Sequence, residues 1–208
     1  MERKRPDGIE QVPAPRRPPS GAAVRRPSVT EALQRALFRE WSVTGYGALS
    51  LEAVAARAGV GKASLYRRWK SKGAMVADCL GAVGLEITEV PDTGSLEGDL
   101  RALLRSFRRV LRHPLARRIV PDIHAEMTRS STLEASIRHL QADRRARGAV
   151  ILGRAIDRGE LDASADIELA SDLIAAPIYW RMIVTAGRAD RAYLDRLTRA
   201  LLAALKAS

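Results

Sequence analysis

Between Ser50 and Lys72 the chain reads SLEAVAARAGVGKASLYRRWKSK, and residues 62–72 carry Lys62, Arg67, Arg68, Lys70 and Lys72 without one acid. A helix face turned to water ordinarily mixes acids with bases, so an acid-free cationic face suits a polyanion. With Leu51, Val54, Ala55, Val60, Leu65 and Trp69 directed inward, Lys62, Ala63, Ser64, Tyr66, Arg67 and Arg68 are directed outward. Each outward type has a use on duplex DNA. Ala63 and Ser64 are small enough to let the backbone approach a major groove, and Ser64 can bond a phosphate or a base edge. Tyr66 can donate its hydroxyl to a phosphate, while Arg67 has the forked geometry that suits guanine or phosphate. Ser50 and Lys72 stand where helices open, and amides at a helix N-terminus can hold a phosphate. The competing reading is a solvated basic face; turn, core pattern and charge together weigh against it.

Other chemistry is harder to build. Gly59-Val60-Gly61-Lys62 looks glycine-rich, but a phosphate loop would need Gly at position 56 and Ser or Thr at 63, where Ala56 and Ala63 stand. No strand pattern precedes it. Asp122, His124, Glu126 and His139 are ligand types, yet helical residues two apart face different sides, so His124 cannot share an ion with Asp122 or Glu126. No Ser-His-Asp or Cys-His arrangement has a local signature. The reading is therefore a protein that is not an enzyme, with no cofactor and no metal.

The elements that must position the cationic run are helices. Ser28 and Glu31 form a capping box before Val29, Leu33, Leu37 and Trp41 at four-residue spacing. A short amphipathic helix follows Ser50 and stops at Gly59, and a third runs from about Lys62 to Trp69, which is helix-turn-helix grammar. A fourth, from Lys72, aligns Val76, Cys79, Leu80, Val83 and Ile87. After the break at Pro91–Gly94 comes the stripe Leu100, Leu103, Leu104, Phe107, Val110 and Leu111. His113-Pro114 ends it, residues 115–128 are helical with a kink or a short turn expected at Pro121, and a Ser131/Glu134 capping box opens a long helix that stops at Gly159. Two helices follow, at about 165–186 and 190–206. The expectation is an all-α chain of about nine helices.

Bulk properties agree. The 208 residues carry a formal charge of +11 and are 46% hydrophobic but only 4% aromatic, so the core is built from aliphatic side chains. Residues 1–27 hold six prolines and no apolar periodicity, and read as a disordered basic arm whose Arg25 and Arg26 are candidates for DNA contact. The lone Cys79 suits a reducing cytosol and a place in the core, and no stretch is apolar enough to span a membrane. The expected location is the cytoplasm.

The run Gly59-Val60-Gly61-Lys62-Ala63-Ser64-Leu65-Tyr66-Arg67-Arg68-Trp69-Lys70-Ser71-Lys72 resembles the signature of the TetR family of regulators. The departure is Gly61, where serine is usual. Residues 28–80 are similar to the family's DNA-binding domain; Tyr66-Arg67-Arg68-Trp69, Asp157–Leu161 and Ala176–Arg181 resemble an actinobacterial branch. The resemblance implies a helix-turn-helix domain at 28–73 and an effector-binding and dimerisation domain at 74–208. It also implies a homodimer whose last two helices form a four-helix bundle; Leu173, Ile174, Ile178, Leu194, Leu197, Leu201 and Leu205 are candidates for that interface, burial within one protomer being the alternative.

The effector pocket is expected among helices from about 96 to 185, with His124, Met127, His139, Tyr179, Trp180 and Met182 as candidate contacts and a small apolar or aromatic molecule as occupant. The implied function is repression at a palindromic operator in double-stranded DNA, read by two helices roughly 34–36 Å apart. Effector binding would release it by moving the fourth helix at Val76 and Leu80. Two other readings stay open: a DNA-binding or architectural protein without an effector, and a helical interaction module without DNA binding.

Overall fold

The computed structural model describes residues 28–87 and 90–207, the side chains of 83–87 excepted. Arg25, Arg26 and the rest of the arm lie outside the described residues, as do the side chains of Val83 and Ile87. The elements are α1 (Val29–Ala48), α2 (Leu51–Ala58), α3 (Lys62–Arg68), α4 (Lys72–Ile87), α5 (Leu96–Leu111), α6 (Pro114–Met127), α7 (Ser131–Asp157), α8 (Ile167–Tyr179), a π-helical turn at Trp180–Val184, and α9 (Arg191–Leu205). No strand occurs among the described residues.

Local chemistry sets most boundaries. The Ser28/Glu31 capping box is formed in both directions. Ser50 accepts from the Ala53 amide, and Gly59 ends α2 in the left-handed region at φ 65°, open to glycine at no steric cost. Pro114 opens α6, where its missing N–H has no helical partner to lose, and His113 accepts from the Leu115 amide. Helix α6 runs on through Pro121 to Met127. One expected cap is displaced. Ser130, not Ser131, accepts from the Leu133 amide, and Glu134 pairs with Arg138 instead of closing a box. The expected helix at 165–186 is also interrupted. Pro177 has no amide to donate, and the backbone passes into the π-turn after Tyr179.

Two apolar cores result, and they cut across the expected division at residue 74. The first joins Leu33, Leu37, Trp41, Val54 and Leu65 to Val76 and Cys79 of α4, Ile119 and Ile123 of α6, and Leu133 and Ile137 of α7. The second is built by α5, the later part of α7, α8 and α9. Helix α7 belongs to both, so one rigid element spans them.

The second core corrects the expected dimer stripe. Ile174, Ile178, Leu194, Leu201 and Leu205 are buried inside the protomer, because α9 packs along α5 and α8 closes over them. A side chain already removed from water within one chain has no surface left for a second. Leu173 and Leu197 are only half-buried. The apolar residues that α8 and the turn beyond it leave outside are Leu169, Trp180 and Val184.

Candidate functional site

Helix α3 is short because the turns on either side give it seven residues, and its register is fixed from beneath. Leu65 is wholly buried, Trp69 nearly so, and the Trp69 indole N–H donates to Asp78 of α4 at 3.0 Å. Below it, Arg57 of α2 donates to Glu40 of α1 at 2.7 Å, which locks α2 across α1. With this platform held, Lys62, Ala63, Tyr66, Arg67 and Arg68 are exposed on one surface, and Ser64 is half-buried. Gly61 caps α3 without a side-chain hydrogen bond.

The outward residues are not equally free. Arg67 has no hydrogen bond or ion pair among the described residues, Lys62 lies close enough to Glu52 for its charge to help hold that carboxyl down, and Lys70 beside them is likewise exposed. Arg68 folds back to donate to Ser64, to its carbonyl at 2.9 Å and its hydroxyl at 3.0 Å. The Tyr66 hydroxyl donates to Glu52 of α2 at 2.6 Å, which pulls the Glu52 carboxyl below its ordinary range and pushes the Tyr66 phenol above its own. The acid missing from residues 62–72 is therefore supplied from α2, by a contact between residues too far apart in sequence for a helical pattern to reveal. Ser50 is engaged as the cap of α2.

Lys72 is half-buried and turned away from the α3 surface. Its ammonium donates to the carbonyls of Tyr46 at 2.7 Å and Gly47 at 3.2 Å, and sits 4.5 Å from the Tyr46 ring centroid. It stitches α4 to the end of α1, and Ser71 accepts from the Ala74 amide to cap α4.

That stitch is half of a junction that reaches α6. Asp122 accepts from the Trp41 indole at 2.6 Å and from the Tyr46 amide at 2.8 Å. Between these partners Gly45 takes φ 76°, and a β-carbon there would stand 3.3 Å from the Asp122 carboxylate. Glycine thus provides both the left-handed turn and the close approach. Sequence reasoning weighed Asp122 only as a metal ligand; in the fold it is the acceptor joining α6 to α1.

In the other half a cavity of about 570 Å³ opens between the end of α5, the start of α6 and the segment 182–190. Of the six expected contacts, only Met182 lines it. His139 is 82% exposed and faces Asp143 one turn along α7, so it points to solvent. His124 is exposed too, edge-on to the half-buried Tyr179 with ring centroids 5.4 Å apart. Burial raises the Tyr179 phenol above its ordinary range. Met127 packs against the first core, and Trp180 is 61% exposed because the π-turn rotates it outward. In place of an aromatic lining, the cavity has Arg108, Arg112, Arg117 and Arg188 around Leu111 and Met182.

Residues 34–79 match the family described as "Bacterial regulatory proteins, tetR family", and residues 90–201 match "Tetracyclin repressor-like, C-terminal domain". The chain belongs to the TetR family. Among TetR-family relatives, the DNA-binding transcriptional repressor TetR of Mycobacteroides abscessus is 33% identical over 163 residues, covering 77% of this chain and 85% of that one. The fold is shared with Salmonella enterica GusR (TM-score 0.72, 20% identity, 86% of this chain and 95% of that one). It is shared also with FadR from Bacillus subtilis, whose structure holds stearoyl-CoA (TM-score 0.63, 18% identity, 84% and 96%).

As a TetR-family protein the chain is a ligand-responsive, DNA-binding repressor of transcription, and the family is one of regulators that dimerise, not of enzymes. No helix among the described residues is long and apolar enough to cross a membrane.

Proposed function

We propose that two copies of this chain hold a palindromic operator through α3, with Lys62, Ala63, Ser64 and Arg67 meeting the major groove and Arg68, Tyr66 and Lys70 the flanking phosphates. The observation that carries this reading is the exposed face of α3, where Arg67 has no carboxylate partner among the described residues and Lys62 has only the nearby charge of Glu52, while the apolar side is locked on the first core. Ser50 acts through its cap, which presents the α2 N-terminus, and Lys72 acts by setting the angle of α4. Arg25 and Arg26, outside the described residues, add basic side chains suited to the DNA backbone.

The second copy docks on the outer face of α8. Leu169, Leu173, Ala176 and Trp180 recur there at helical spacing, and Leu197 of α9 adds to it. Release follows when a small molecule bound in the second half shifts α6. Asp122 then draws on Trp41 and Tyr46, and Lys72 carries the displacement to α4, where Val76 and Leu80 are fixed in the first core. The distance between the two α3 helices changes, and the half-sites are no longer met together.

The test is binding of the purified dimer to duplex from its own promoter region and to random duplex, at several salt concentrations. A specific complex that survives near physiological salt and is weakened in Arg67→Ala supports the reading. Equal binding to both duplexes with a steep salt dependence would reduce the surface to charge alone.

A further inference from the structure

The arginines around the cavity differ from others in the same half of the molecule. Arg101 reaches Glu97 and Asp195, Arg145 reaches Glu168 and Asp172, Arg154 reaches Asp92, and Arg158 reaches Asp99 and Glu160. Arg108, Arg112, Arg117 and Arg188 face one concavity, and none forms an ion pair among the described residues. One carboxylate, Asp190, also lines it, but that side chain accepts from the Tyr193 amide at 2.8 Å as the cap of α9.

Helix electrostatics account for part of this set only. Arg108 and Arg112 lie at the C-terminal end of α5, where a cation is favourable. Arg117 sits near the N-terminal end of α6, where the same field opposes it. Arg188 belongs to no helix. Four positive charges facing one concavity against the single Asp190 carboxylate leave a surplus of positive charge that favours the entry of an anion.

The loop that presents Arg188 is built with care. Ala186 holds φ 51°, in the left-handed region that residues with a β-carbon avoid. Arg181, on the π-turn, braces the loop: its carbonyl accepts from the Gly187 amide at 2.7 Å and its side chain donates to the Arg188 carbonyl at 3.0 Å. A β-carbon on Gly187 would stand 2.6 Å from the Arg181 Nε, so a side chain there would push the guanidinium aside. Strained backbone and π-turns concentrate at functional sites because the surrounding structure must hold them there.

We propose that this cavity binds a small multivalent anion, phosphate- or carboxylate-bearing, with its charges on Arg108, Arg112, Arg117 and Arg188 and its carbon skeleton on Leu111 and Met182. The volume lies inside the range of about 300–1,000 Å³ usual for small-molecule sites. Forked guanidinium groups match such oxyanions two bonds at a time. The assignment of this anion as the effector rests on the ligand-release reading above; the binding itself does not.

The experiment is calorimetric titration of the full chain in low-chloride buffer with pyrophosphate, with citrate and with acetate. Saturable binding of pyrophosphate or citrate, far tighter than acetate, is expected, and whichever binds tighter distinguishes phosphate from carboxylate. Arg112→Ala with Arg117→Ala, both exposed positions, should weaken it by about 100-fold, roughly tenfold for each lost charged contact. Gly187→Ala should weaken it by displacing Arg181. Arg138→Ala, on the surface of α7, should leave it unchanged, and circular dichroism should show all four proteins folded alike.

The proposal is overturned if neither polyanion saturates, if the double variant binds as tightly as the parent, or if Arg138→Ala loses as much. The two readings fail separately. Binding that leaves operator affinity untouched would keep the anion site and remove its effector role. Operator release by another ligand without polyanion binding would remove the site and keep the release mechanism.

Discussion

Two cationic surfaces of this repressor are assembled in opposite ways. On α3 the charges come from neighbouring positions of one short helix, and a few buried contacts through Leu65 and Trp69 hold them all in place. Around the cavity the charges come from α5, α6 and a strained loop far along the chain, so their convergence depends on the second core and on the brace formed by Arg181. The first surface is a local property carried by a fold. The second exists only because of the fold. A local site tolerates rearrangement elsewhere and fails when its one anchor goes; a convergent site has many supports and is disturbed by any of them.

The strongest way to break the comparison is at the anchor. Leu65→Ala should cost about 2–5 kcal/mol in stability and abolish specific operator binding, read by chemical denaturation and by duplex titration. Operator binding retained at full strength would mean that α3 is positioned by something other than its core contact.

Next in size is Asp122→Ala, which leaves the Trp41 indole and the Tyr46 amide without their acceptor, at about 1–3 kcal/mol for each group. Effector response should fall more than operator affinity does. A variant that still releases DNA with unchanged sensitivity would exclude this junction as the link.

Arg67→Ala should weaken operator binding by about 1–3 kcal/mol, without loss of stability, because the side chain is exposed and unpaired. The salt dependence of binding separates a base contact from a phosphate contact at this position.

A smaller effect is expected beneath α3. Glu52→Gln removes the carboxylate that holds the Tyr66 hydroxyl and should raise DNA affinity roughly a few-fold. Because the Tyr66 contact depresses the Glu52 carboxyl, the contact is present above the ordinary carboxylate range and is lost as pH falls through the depressed value. Acid should therefore free Tyr66, and the pH dependence of tyrosine resonances would show it.

The smallest expected signal is at Cys79, whose thiol burial pushes up to about 12 from 9.0. The native protein should resist alkylation near pH 8 and react once denatured. The thiol's contribution to stability is complete below about pH 9 and is lost as pH rises toward about 12.

The helix-turn-helix was legible because its determinants are close in sequence. Apolar spacing, the Ser50 cap and Gly59 each act within one or two turns, so residue order alone reveals the platform and the face it presents. Legibility ended where partners come from afar. Glu52 under Tyr66 and Asp122 against Trp41 were missed as contacts, although both residues are in plain view, because no periodicity links them to their partners. The bundle stripe was misread for a related reason. An apolar helix face says that something covers it, and here α5 covers what a second copy was expected to cover.

Sequence by itself determined the all-α class, most of the caps and breaks, the cationic α3 and the family, since each rests on local propensity, on short-range spacing or on a contiguous motif. Only the tertiary structure decided that Lys72 stitches helices together, that Trp180 stands outside, and that four distant arginines share one cavity. The reason is physical. Helix formation is governed by contacts between residues three and four apart, whereas a cavity is whatever space remains when several helices have satisfied their apolar faces against one another.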